Sequence, residues 1–566
     1  MKYILYCLLL SFSVISIYGC SKDNPDGSGD PDNPDLPDIK FSEASVAPAI
    51  PAVDDSDYTI YYVDSQAGDD TNDGLGENKP FKSLSKITYL EKTPKMKVLL
   101  KSGSVFSGNL ILKELKGTPE KPFILDIYGG TERPTINGSG DQVILIQDEN
   151  LRVRNIRLTN KSGTRGIRIQ ALTAGAKKNI GISGCCIEEV NWAGTTPFIG
   201  VNPANLNVRD ICSDERFNKE FGGIIVEAFT TKEVGPGWYE NLYITNNRIH
   251  QVARTAILIT NKWGQRDKQG SGYNEYDNDG NKWYPNRNVV IQGNDISYVG
   301  GDGVILMGST HSRIDHNKCF YANFLGRTGH ASAGLWPYSS TETVMQYNEA
   351  AYTQFANGSA DGEGLDIDVA CKNTIVQYNY VHHNAGGGLL ICNTKDADHE
   401  GTVVRNNVFL HNSCTWKGNM MTVSSGVGKT EVYNNLVVVS NSYPMVLFSD
   451  DWANAGHSKD FTFRNNIFVS EDYTTAKFSI SDIDNCVFNN NVYSRVGNFS
   501  VAHTGAISLD PKITIPADMD GYDKVLTFVP AEPKVFKSGV LFDGMLEKDI
   551  AGNSVKGINY TGPFAK

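Results

Sequence analysis

No cluster of basic residues occurs anywhere in this chain, and Asp and Glu outnumber Lys and Arg by 64 to 52, giving a net charge of −12. Gripping a phosphate backbone takes clustered cations, so a nucleic-acid partner is excluded. Charge of either sign is scarce, at 20% of residues against a typical ~25%, while 40% are hydrophobic. That balance excludes global disorder. None of the ten cysteines forms a Cys-x-x-Cys pair, so zinc lacks the spacing it needs. Long apolar runs are absent after the first twenty residues, and no later segment is expected to span a bilayer.

What is plentiful points to β structure with many tight turns: 55 Gly, 26 Tyr, 24 Phe and 7 Trp. At the usual ~150 residues per domain, 566 residues would make three or four domains, unless a repeat builds one long one.

Met1 and Lys2 precede an apolar run from Ile4 to Ile17, and Gly19 precedes Cys20. This reads as a bacterial lipoprotein signal, cleaved before Cys20, which would then carry the lipid. A transmembrane anchor needs ~20 apolar residues and would not end at a small residue and Cys. Residues 21–40 hold six Asp and four Pro with almost nothing to bury, an extended, solvated tether. Acidic residues directly after the lipidated Cys resemble the export signal of surface-displayed lipoproteins in some Gram-negative bacteria, although a spacer facing the periplasm would look similar. The expected organisation is therefore a signal peptide over 1–20, a tether over 21–57 and one folded domain over 58–566, attached to the membrane only by lipid and acting as a monomer.

The domain is a repeat. Asn recurs at 247, 294, 317, 348, 379, 407, 435, 466 and 491, mostly 23–31 residues apart. Around each Asn, the positions five and three before and two after are mostly apolar or Thr, as in Leu242/Ile244/Ile249, Val289/Ile291/Ile296 and Phe461/Phe463/Phe468. Ile156 and Cys185 hold the Asn slot in two earlier turns. Short strands on either side of a corner, with an amide that can bond the identical amide one coil away, define a parallel β-helix solenoid. The left-handed backbone of the corner is assigned to the Asn itself. A propeller would need periods of ~40–50. The compartment permits disulfides, but several of the eight cysteines beyond Cys20 fall in core slots, so buried free thiols are expected.

The openings YYVDSQAGDDTNDGLGENKPFKSLSKI and VLLKSGSVFSGNLILKELKGTPEKPFILDIYGG, and the close DIAGNSVKGINYTGPF, resemble those of secreted right-handed β-helix proteins. The resemblance implies a capping helix over 82–92 at the open end of the solenoid. It says little about activity, because this fold carries many chemistries.

The intervals Cys185–Asn247 and Asn247–Asn294 are long, so loops are expected over about 189–238 and 262–287. The second loop holds Trp263, Tyr273, Tyr276, Trp283 and Tyr284, which would either stack on sugar rings or pack the loop onto the solenoid. Asp277 and Asp279 offer a possible calcium site there; no cofactor is otherwise required.

A second strand aligns across coils: Ala256–Thr260, Gly303–Met307, Gly334–Tyr338, Gly364–Asp368 and Gly388–Cys392. Its second and fourth positions are apolar and point inward, so the third and fifth point outward. One coil thereby presents Asp366 and Asp368, and the coil before it Trp336 and Tyr338. Two carboxyls beside two aromatics suit glycosidic chemistry, with aromatics to hold a ring and carboxyls to act as acid and as base or nucleophile. Like-charge repulsion would raise one pKa. Asp361 and Glu363 add charge, and Glu363 is counted with the catalytic set. His330, His382 and Asp302 complete the candidate substrate contacts. His383 falls in a column with Tyr298, Tyr321, Tyr352 and His411, which suggests an interior stack, and Asp450 and Asp451 read as a polar rim.

The stretch DGEGLDIDVACKNTIVQYNYVHHNAGGGLLIC resembles β-helix glycoside hydrolases, most closely family 141, whose members act on fucosides and xylans. The likeness would place catalysis on Asp366 or Asp368. Neither the Arg-His-Gly segment of alginate and chondroitin lyases of this fold nor the Gly-His-Gly of polygalacturonases is present. The leading expectation is a surface glycosidase acting on a complex polysaccharide or its oligosaccharides. A lyase on an acidic glycan and a non-catalytic glycan-binding or adhesin solenoid are the alternatives.

Overall fold

A computed structural model of the protein describes residues 51–565 apart from 193–217, 267–282, 326–330, 356–360, 396, 414, 416, 450–454, 472–477 and 498–501. Cys20, Cys212, Cys414, Tyr273, Tyr276, Asp277, Asp279, His330, Asp450 and Asp451 therefore lie outside the described residues. Among those described, no helix is long and apolar enough to cross a membrane.

Each coil runs through three strands that pair in parallel with the same strands of the neighbouring coils, building, in coil order, sheets of 16, 14 and 12 described strands. In one coil these are Ile375–Gln377, Tyr380–His382 and Gly387–Cys392. They belong in turn to what we call the first, second and third sheets. Register follows the sequence pattern: Leu242 pairs with Val289, Ile244 with Ile291, and Ile249 with Ile296. All six are buried in one core that runs the length of the coil stack. Complete burial of such a side chain stabilises by about 1.5–3 kcal/mol, which makes the apolar columns the main source of stability.

At the corner between the first two sheets, the Asn side chains form a continuous ladder. Each Nδ2 donates to the Oδ1 of the next, at 2.9–3.0 Å, from Asn247 through Asn491. The same Oδ1 accepts the backbone N–H of the Asn one coil earlier, as between Asn348 and Asn379 at 3.0 Å. The left-handed backbone belongs to the residue before the ladder Asn and not to the Asn itself: Tyr347, Tyr378, Asn406 and Asn434 take φ of 53–57°. The ladder Asn is thus held by its amide bonds, and the turn is made by its neighbour. A second, shorter ladder links Asn384 to Asn412 at the next corner.

A helix, Leu84–Tyr89, covers the open end with Leu84 and Ile87 buried. Lys92 closes its C-terminus by donating to the carbonyls of Ile87 and Leu90, at 2.7 and 2.6 Å. The expected loop over 189–238 is shorter than its spacing suggested, because Gly222–Ala228 and Gly237–Thr245 are regular strands. Cys186 is disulfide-bonded to a partner outside the described residues, a departure from the expected buried free thiols. Cys185, Cys319, Cys371, Cys392 and Cys486 are free.

Candidate active site

The third sheet carries the aligned strand in the expected register, with Ile257, Val304, Leu335, Leu365 and Leu389 paired in sequence. Leu365 and Ile367 point into the core. Asp366 therefore points outward, and the chain around it brings four carboxyls, Asp361, Glu363, Asp366 and Asp368, within electrostatic reach of one another.

Their environments differ. Glu363 is fully buried and forms an ion pair with Lys417 at 2.8 Å, and Lys417 is itself buried. Asp366 is only 3% exposed. Among the described residues, neither Glu363 Oε2 nor Asp366 Oδ1 has a hydrogen-bond partner. Asp361 and Asp368 are half-buried and reach the surface. Asp368 Oδ1 accepts the Val369 N–H at 2.7 Å and the Cys392 thiol at 3.1 Å.

Burial, reinforced by the negative Asp368, Asp361 and Glu363, pushes the Asp366 carboxyl well above the ordinary range. Burial and Glu363 push Asp361 up to about 7, against the pull of Lys417. Burial raises Glu363 too, with Lys417 opposing. Burial would lower Lys417, but Glu363, Asp361 and Asp366 outweigh it and hold it charged. One buried cation cannot offset four anions in a poorly solvated pocket, so the cluster retains protons that isolated carboxyls would have lost near neutrality.

Two glycines shape this pocket. Gly362, between Asp361 and Glu363, takes φ 122°, and Gly387, paired with Glu363 on the next strand, takes φ 133°. A Cβ on Gly387 would lie 2.7 Å from the Gly418 carbonyl oxygen and 3.6 Å from Lys417 Cβ. A larger residue there would displace Lys417 from Glu363.

Several expected contacts are corrected. Glu363 is sealed beneath the surface by its ion pair, so it supports the site and does not face a substrate. Trp336 does lie beside the acids on the preceding coil, but it is 3% exposed and packs with Ile225, Leu258, Ile305 and Ala333. Lys219 lies over its ring at 4.7 Å, and its indole N–H donates to Asp302 at 2.9 Å. It is a wall of the scaffold and not an open stacking platform. Tyr338 borders the same cluster and is half-buried. Asp302 is fully buried, ion-paired with Arg254 and bonded to the Ala333 N–H at 2.9 Å, so it braces Trp336 from beneath the surface. His382 lies on the second sheet, completely buried, with Nε2 3.2 Å from Glu349 Oε1. It lies on a different sheet from the acids, and burial takes its pKa down to about 3. Tyr298, Tyr321, Tyr352 and His383 do stack, with centroids 4.8–5.5 Å apart, but half-buried at a left-handed corner and not in the interior. In the second insertion, Trp263 and Trp283 spend their indole N–H groups on Thr230 and Gly264, at 2.9 and 2.7 Å, which favours packing for those two rings.

Lys417 was not identifiable from the sequence: it sits in an irregular segment ahead of Met421–Ser424, with no periodic neighbours. Cys392 was in view, because the strand alignment puts it beside Asp368, yet its character as an ordinary apolar residue hid its bond.

Residues 271–437 match the family described as right handed beta helix region. A lacto-N-biosidase of Bifidobacterium longum subsp. longum is 24% identical over 611 aligned positions, taking in 88% of this chain. The chain spans about a third of that relative's length, 36%. The GH136 lacto-N-biosidase from Eubacterium ramulus superposes with a TM-score of 0.55 at 23% identity, over 70% of this chain and 66% of that one. XylC, in complex with xylose, superposes with a TM-score of 0.51 at 12% identity, over 89% and 98%. Together with the three parallel sheets, these matches make the protein a right-handed parallel β-helix. The Eubacterium ramulus enzyme carries the family number 136, so it adds nothing to the resemblance of residues 361–392 to family 141.

Proposed function

We propose that the protein is a glycoside hydrolase acting on an oligosaccharide or polysaccharide chain, with Asp361 and Asp368 as its reacting carboxyls. The observation that carries this is the pairing of two surface-reaching carboxyls in different surroundings: burial raises Asp361, while Asp368 accepts two hydrogen bonds on Oδ1. Asp361 holds its proton to near neutrality and can give it to the departing glycosidic oxygen. Asp368, accepting two hydrogen bonds on Oδ1, is kept as the carboxylate that meets the anomeric carbon, directly or through a water. Asp366 stands between them as a buried, protonated neighbour, and Lys417 with Glu363 forms the floor. The names of the relatives favour a hydrolase on oligosaccharides, and the reaction needs no cofactor. A lyase would have to meet a uronate with a cation, and Lys417, the buried cation here, is committed to Glu363.

Incubation with a panel of glycans should release new reducing ends without the ultraviolet absorbance of an unsaturated sugar. Asp361→Asn and Asp368→Asn should each lower turnover about a thousandfold with the fold intact. The alkaline limb of kcat/KM should fall near pH 7, where Asp361 loses its proton. Full activity in both variants would remove this site. We also propose that lipidation of Cys20 anchors the protein to the outer membrane, facing outward; Cys20→Ala should then free it from the membrane fraction, and protease added to intact cells should reach the wild type.

A further inference from the structure

We infer that the Cys392 thiol is a positioning group for Asp368, holding the carboxylate in place through an S–H hydrogen bond while leaving it basic. This rests on the role given to Asp368 above. The thiol lies one residue beyond the paired Ile367 and Ile391, directly beside Asp368 on the next coil. Its sulfur is 3.1 Å from Oδ1, and the Val369 N–H reaches the same oxygen at 2.7 Å. Both donors therefore grip one side of the carboxylate and fix its rotation.

The chemistry of the donor matters. Thiols are weak hydrogen-bond donors, so the bond orients the carboxylate at little cost to its proton affinity, whereas a hydroxyl would withdraw more charge. Burial, and then the negative Asp368 and Asp366, push the Cys392 thiol well above its ordinary range. It thus stays an S–H donor wherever the cluster works and never becomes a second anion. The position has room for a hydroxyl, since Cys392 pairs with Ser424 and Ser424 with Ser449 along the same outward column. Serine there is a fair chemical test and not a steric insult.

The measurement is the acidic limb of the kcat profile, which reports Asp368, in the wild type, Cys392→Ala and Cys392→Ser, with thermal melting as a check on folding. Losing one weak bond should raise the limb in the Ala variant by about half a pH unit and lower kcat severalfold. The stronger hydroxyl donor should move the limb in the Ser variant below wild type. Should the Ala variant fail to fold, the downward shift in the Ser variant still decides the matter. Limbs that coincide in all three, or that rise equally in Ala and Ser, would overturn the inference. If Asp368→Asn retains full activity, the assignment of the site itself has failed; if it is inactive while the limbs coincide, only the role of Cys392 has.

Discussion

At the scale of single residues, the carboxyl cluster costs stability. Asp366 has a buried oxygen without a hydrogen-bond partner among the described residues, and a carboxyl raised well above its ordinary range by burial and by Asp368, Asp361 and Glu363. A raised folded-state pKa means that the native protein binds this proton more tightly than the unfolded chain does. Stability from it is complete below the unfolded value, 3.8, and is lost as pH rises through the folded value. Asp366→Asn, which cannot ionise, should therefore raise the melting temperature at pH 8, by about 1–2 °C in a chain this long, and leave it nearly unchanged at pH 4. Equal melting curves at both pH values would show that the carboxyl is better solvated than its burial implies.

At the scale of elements, the Asn corner accounts for most of what could be read without coordinates. Asn379 donates to the Met345 and Gln377 carbonyls and to Asn407, and accepts from Asn348. Asn379→Leu should strand these buried partners and cost at least about 1–3 kcal/mol, visible as a lowered midpoint in chemical denaturation. A midpoint within error of wild type would show that the ladder is ornamental. The ladder, the inward columns and the strand bearing Asp366 were legible because each is a pattern repeated coil after coil. What was not legible is what one coil does for another. Trp336 looked like a free aromatic because alternation gives a side chain's direction and not what covers it, and Lys219 and Asp302 come from other parts of the chain. His382 was read as the outward neighbour of His383 and so as a substrate contact, but it lies on the second sheet and the acids on the third. Lys417 lay beyond any local pattern, two coils after the carboxylate it neutralises.

At the scale of the whole molecule, the solenoid has two differently used faces. The third sheet carries the carboxyls. The second sheet, from Tyr380 to Val492, is apolar on its outer side as well as its inner one: Val408, Leu410, Leu436, Val438, Ile467 and Val469 all point away from the core and are buried. Such a surface would exceed what a soluble sheet leaves open to water. It is covered by the C-terminal segment, whose Val525, Phe528, Val535, Ile550 and Phe564 pack onto it. Hydrogen bonds strap the segment down: Tyr378 and Tyr380 donate to the carbonyls of Lys548 and Met519, at 2.8 and 3.0 Å, and Asn434 Nδ2 donates to the carbonyls of Tyr560 and Gly562, both at 3.1 Å. The segment is thus the outer half of a second hydrophobic layer, and the apolar outward residues of the late coils make sense only with it in place. A chain ending at Leu509 should expose that layer, bind a hydrophobic dye, and aggregate or melt well below the full-length protein. The carboxyl cluster, built on another sheet by residues 361–417, should keep its geometry in whatever fraction stays folded, so activity per folded molecule should change little. A truncated chain that remained monomeric and melted like the full-length protein would show that the second sheet needs no cover.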